Sequence, residues 1–164
     1  MKKSLYILLP VLVILLAINS CSKPTKTAEG YWESGSALFD VENYDRAIDE
    51  FQNIINYYPD SEEALKAVFF IAEIYKNNIK DYEKAIEKYR QIEKNYPDSD
   101  KAPNALFMIG YIYANEMENY NEAKKAYQHF IKTYPGHGLV SSAEWEIENM
   151  GKTLEELQDA NITD

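Results

Sequence analysis

Side chains able to do covalent or acid–base chemistry are sparse in this chain of 164 residues. The single thiol is Cys21, so an internal disulfide and a multi-thiolate metal site are both excluded. His129 and His137 are the only histidines, and they fall on different elements, too few ligands for zinc and too few partners for a His-based triad. No glycine-rich phosphate loop is present; Gly35 and Gly110 read as helix-packing positions. Asp and Glu are plentiful, but their three- or four-residue spacings are those of a solvated helix face. The expectation is a protein that is not an enzyme and takes neither cofactor nor metal. Acids outnumber bases 27 to 17, for a net charge of -10, which repels phosphate backbones and argues against nucleic acid as a partner. The acidity reads as solubility.

The dominant feature of the chain is a repeat. Tyr82, Ala85, Tyr89, Ile92, Tyr96 and Pro97 have counterparts 38 residues upstream at Tyr44, Ala47, Phe51, Ile54, Tyr58 and Pro59. The same step downstream reaches Tyr120, Ala123, Tyr127, Phe130, Tyr134 and Pro135. A period of this size marks a stacked repeat architecture. Each unit reads as two helices. Ala85, Ile86, Tyr89 and Ile92 recur three or four apart on one stripe of the second helix. Pro97 ends that helix, and Asp98-Ser99 offers a turn and an N-cap for the next, as Asp60-Ser61 does after Pro59. After Pro135 the wording changes to Gly136-His137-Gly138, a looser connection.

The lone thiol lies in a segment with a different logic. Met1-Lys2-Lys3 is a short basic start, and the apolar run from Leu5 to Ile18 falls short of the about 20 residues a membrane span needs. This is the layout of a secretory signal peptide, with a retained span as the alternative. Ile18-Asn19-Ser20-Cys21 resembles the bacterial lipobox, with Asn19 where Ala or Ser is usual. The resemblance implies that residues 1–20 are a cleaved lipoprotein signal peptide and that Cys21 is the lipidation site, anchoring the protein to a membrane. Ser22 rather than Asp after the cysteine implies the outer membrane in preference to the inner, with the chain facing the periplasm. Residues 21–28 are then the lipidated Cys and a small, polar tether.

The repeats themselves resemble the tetratricopeptide family. The first unit carries its pattern at Tyr31, Ser34, Gly35, Leu38, Ala47, Phe51 and Pro59; the second at Val68, Ile71, Ala72, Tyr75, Ala85, Tyr89 and Pro97; the third at Leu106, Ile109, Gly110, Tyr113, Ala123, Tyr127 and Pro135. Small residues pair where helices approach: Gly35 with Ala47, Ala72 with Ala85, Gly110 with Ala123. The resemblance implies an all-α, right-handed superhelical solenoid, with repeats at 29–59, 60–97 and 98–135 and a capping helix and polar tail at 136–164. In the cap, Glu144 and Glu148 replace residues that elsewhere face a second helix, leaving Ala143, Ile147 and Met150 to cover the third repeat. The long period and the YPDS wording are similar to two groups of envelope proteins: the tetratricopeptide coordinator of the Tol-Pal system, and the lipoprotein subunit of the outer-membrane β-barrel assembly machinery. The implied function is a lipid-anchored adaptor for a protein or peptide partner at the bacterial cell envelope. The alternatives are a part of outer-membrane protein assembly or a self-assembling structural protein, and the oligomeric state stays open.

Helical phase nominates the binding residues. The stripe one residue beyond the pattern positions turns by about 100° towards the inner side of the array. It carries four aromatics, Trp32, Phe69, Phe107 and Trp145. One turn on, or back, the same face holds Phe39, Lys66, Glu73, Lys76, Asn104, Tyr111 and Asn149. Either a partner uses these rings as anchors in a groove, or they pack between neighbouring first helices.

Overall fold

Helix starts follow from side chains that satisfy otherwise unpaired backbone N–H groups. Thr27 accepts from the N–H of Gly30, Ser61 from Ala64, Asp81 from Lys84 and Asn119 from Glu122. In the computed structural model, which describes residues 23–153 and Glu156, the chain runs through α1 (Ala28–Asp40), α2 (Tyr44–Tyr57), α3 (Glu62–Glu73), α4 (Tyr82–Asn95), α5 (Ala102–Tyr111), α6 (Tyr120–Thr133) and α7 (Val140–Asn149). Packing is mainly between consecutive helices, so the fold is an all-α helical-repeat solenoid, and among the described residues there is no strand. The signal peptide and Cys21 lie outside the described residues.

Two apolar clusters form one continuous core. Tyr31, Phe51, Ile54 and Ile71 lead the first; Tyr89, Ile92, Leu106, Tyr127 and Phe130 lead the second, and Ile55 and Tyr75 pack against both. Phe51, Tyr89, Tyr127 and Phe130 are wholly buried, each contributing about 1.5–3 kcal/mol of apolar burial. The small residues of α1 and α5 serve these rings. A Cβ on Gly35 would lie 2.7 Å from the Phe51 ring, and one on Gly110 would lie 2.6 Å from Tyr127. The aromatic four residues after Ala47 and Ala123 therefore sets the close approach, more directly than the alanines do.

Several local features differ from the sequence reading. Ser99 does not cap α5: its hydroxyl donates to the Tyr96 carbonyl at 2.8 Å, and the helix begins at Ala102 without a side-chain cap. Pro103 in the first turn, which has no N–H to satisfy, accounts for the later start. The expected tether is pinned from Thr25 onward. Thr25 donates its N–H to the Tyr31 hydroxyl at 3.1 Å, Lys26 Nζ pairs with Glu50 at 2.7 Å, and Tyr58 donates to the Lys26 carbonyl at 2.7 Å. Beyond Tyr58, the same column staples the repeats: Tyr96 reaches the Pro59 carbonyl at 3.1 Å and Tyr134 reaches that of Pro97 at 3.2 Å.

The first helices also end unusually. α3 continues as a π-helix over Ile74–Ile79 and α5 over Ile112–Glu116. Their wide turns close with the Asp81 N–H on the Tyr75 carbonyl at 2.9 Å and the Asn119 N–H on that of Tyr113 at 2.7 Å. Each connection to the second helix then passes through one left-handed residue, Glu42, Lys80 or Glu118, with φ of 59°, 65° and 50°. No glycine occupies any of these positions, so each carries strain of about 1–2 kcal/mol.

Candidate functional site

The aromatic stripe of the first helices is half-buried, and its rings lean on the rings of the second helices. Trp32 lies 5.1 Å from Phe51 and 5.8 Å from Phe70 of the next first helix. Phe69 meets Tyr89 edge-on at 5.6 Å, and Phe107 meets Tyr127 at 5.3 Å and Phe130 at 5.7 Å. Phe39 packs on Phe70 at 5.1 Å and on Tyr44 at 5.6 Å. Trp145 differs: no second helix follows it among the described residues, and 54% of its surface stays exposed. The row thus combines three packed, half-buried rings with one exposed ring at the C-terminal end. Lys101 places its ammonium 5.9 Å from the centre of the Phe69 ring, so one ring of the row already holds a cation.

The polar neighbours of the stripe are largely committed. The Glu73 carboxylate accepts from the Tyr89 hydroxyl, from Lys76 Nζ and, at 2.8 Å, from Asn77. Burial pushes the Glu73 pKa up, but these donors outweigh it and hold the carboxyl below its ordinary value. Lys76 is only 12% exposed and its ammonium lies 3.0 Å from Glu73, so neither residue is free to take a ligand charge. Asn149 donates to the Trp145 carbonyl at 2.8 Å and accepts from Lys152 at 3.1 Å. Lys66, on the surface, pairs with Glu62 at 2.8 Å. Asn104 and Tyr111 are half-buried.

Sequence reasoning missed one pair. Tyr127 occupies the same repeat position as Tyr89, yet its hydroxyl is buried with no hydrogen-bond partner. Burial, then the nearby charge of Glu146 and Tyr111, pushes it far above the ordinary phenol range. Glu146, half-buried on α7, stands in the repeat column that holds Phe70 and Met108 in the two earlier units. Burial raises its pKa as well. A carboxylate in an otherwise apolar column was the available signal.

Another titratable contact lies between second helices. His129 Nε2 is 2.5 Å from Glu93, bridging α6 to α4, while His137 packs edge-on against Phe130 and its Nδ1 accepts the Leu139 N–H at 3.2 Å. Among the described residues, no group of three or more His, Cys, Asp or Glu could hold a metal ion.

A family model described as "SNAP: Soluble NSF attachment protein, SNAP" matches residues 16–146. No curated protein matches the chain.

Proposed function

Because the chain belongs to the soluble NSF attachment protein family, a family of helical-repeat proteins, we propose that it is a scaffold that binds a protein or peptide partner along the face of its first helices. The family takes its name from attaching one protein to another, and only that general role is carried over. The observation that carries the reading is the aromatic row: Trp32, Phe69 and Phe107 half-buried, and Trp145 open to solvent. Aromatic anchors rimmed by polar groups are what a partner segment buries when it lies across a repeat array. The proposal extends to place. Lipidation at Cys21 would hold the scaffold at the outer membrane of a bacterial envelope, facing the periplasm, where a coordinator of the Tol-Pal kind works. Support for this part is the basic start, the apolar run and the lipobox-like tetrapeptide.

The test is photocrosslinking in cells from single positions on each face. Probes at Lys66, Asn104 and Trp145 should capture one common partner; probes at Lys94 and Lys124, exposed on α4 and α6, should not. Capture confined to the second helices would overturn the assignment of the face. Intact mass of the native protein should show a chain beginning at residue 21 with added acyl mass, and an unmodified Cys21 thiol would remove the lipid anchor from the proposal.

A further inference from the structure

We propose that the C-terminal end of the solenoid receives an arginine side chain of the partner segment, with Glu146 bridging that guanidinium to the Tyr127 hydroxyl. The inference rests on the first-helix face being the partner-binding face. Its basis is an arrangement the protein completes in one repeat and leaves incomplete in the next. In the second repeat, the buried Tyr89 hydroxyl donates to Glu73, and Glu73 is neutralised by the Lys76 ammonium at 3.0 Å. Hydroxyl, carboxylate and cation satisfy one another.

Thirty-eight residues on, Tyr127 repeats the hydroxyl, but Tyr111 replaces the carboxylate and Ala114 replaces the cation. The Tyr127 hydroxyl is left buried and unpartnered, a state that costs free energy unless something completes it. Glu146, from the next helix, stands two repeats on from Phe70, which packs at 5.1 Å on Phe51, the residue in the Tyr127 column, so the fold sets a carboxylate against the Tyr127 ring. No cation accompanies it: among the described residues Glu146 has no ion-pair partner. Lys152, which falls in the column of Lys76 and Ala114, is engaged by Asn149 at 3.1 Å. The third member of the triad must therefore come from outside.

The chemistry of the surroundings selects a guanidinium. Trp145 precedes Glu146 on α7, so its indole is turned by about 100° from the carboxylate and a ligand group would sit between the two; it is exposed and belongs to the row in which Lys101 already lies over Phe69. A planar guanidinium can face a carboxylate and an indole together, which a compact ammonium does less well. The net charge of -10 draws basic segments towards the protein. A cation at Glu146 keeps that carboxylate ionised and turned to accept from Tyr127, as Glu73 accepts from Tyr89.

The experiment is a titration of the full chain in detergent micelles, reading the Trp145 indole N–H and the Tyr127 ring carbon that bears the hydroxyl by nuclear magnetic resonance. The probes are N-acetylarginine amide, N-acetyllysine amide and the uncharged isostere N-acetylcitrulline amide. Arginine amide should move both signals saturably and bind about tenfold or more tightly than citrulline amide, as a charge-assisted pair requires. Glu146→Gln should abolish the difference between those two probes, and Glu63→Gln, on α3, should preserve it. Equal binding of arginine and citrulline amides, or unchanged preference in Glu146→Gln, would overturn the proposal. Lysine amide binding as tightly as arginine amide would overturn the guanidinium assignment. Crosslinks confined to the first helices beside a silent titration would sink this subsite alone, whereas crosslinks moving to the second helices would sink the reading of the face.

Discussion

The same substitution, tyrosine to phenylalanine, should have opposite effects at two equivalent positions. Tyr89 and Tyr127 are both wholly buried, and each removal deletes one oxygen while keeping the ring. At Tyr89 the oxygen donates to a carboxylate, and a hydrogen bond to a charged group contributes about 1.5–3 kcal/mol. Glu73 keeps Lys76 and Asn77 and is 26% exposed, so water compensates in part and the expected loss is about 1–2 kcal/mol. At Tyr127 the oxygen has no partner, so Tyr127→Phe removes a desolvated polar group and should gain about 1–2 kcal/mol. Urea unfolding followed by circular dichroism reads both. With a slope of about 2 kcal/mol per molar urea, the two midpoints should separate by roughly 1–2 M, on opposite sides of the parent. A double-mutant cycle of Tyr89→Phe with Glu73→Gln should return a coupling of about 1 kcal/mol or more. If Tyr127→Phe lowers the midpoint as much as Tyr89→Phe does, the two hydroxyls are in equivalent environments and the incomplete triad does not exist.

Other consequences are as direct. Gly110→Ala should destabilise by about 1–3 kcal/mol in the same assay, because its Cβ would meet Tyr127 at 2.6 Å, while Gly136→Ala, with nothing within 4 Å, should change little. Lys80→Gly should stabilise by up to about 1 kcal/mol by relieving a left-handed residue, and Lys80→Val should do the reverse. The Glu73 carboxyl, held below its ordinary value near 4.5, gives stability present above that pH and lost as pH falls through the folded value. Glu146, raised above 4.5 by burial, gives stability present below that pH and lost as pH rises through the folded value. Glu73→Gln should therefore weaken the protein at neutral pH and Glu146→Gln should strengthen it, with both differences shrinking in acid unfolding measurements.

Much of this fold is legible in the residues, because a repeat states each rule several times. Six matched positions at a constant step identify paired helices, and the buried column of Ala47, Ala85 and Ala123 with its aromatic partners follows from spacing alone. Local chemistry is equally legible where it acts over three or four residues, as in the capping by Ser61. Ser99 shows the limit: the same dipeptide precedes a different helix start once Pro103 enters the first turn. The site depended more on tertiary structure. Helical phase placed Trp32, Phe69, Phe107 and Trp145 in one row, since phase is a property of one helix. How far each ring is exposed depends on the helix packed against it, and only Trp145 lies open to solvent. Glu73 and Lys76, nominated with the row as binding residues, are instead engaged within the fold, Glu73 by a hydroxyl arriving from another helix and Lys76 by Glu73 itself. Tyr89 and Tyr127 are identical in the repeat pattern, and nothing local separates them. What does is a carboxylate on α3 beside one and an unpaired carboxylate on α7 near the other, because burial and hydrogen bonding are settled between helices rather than along them.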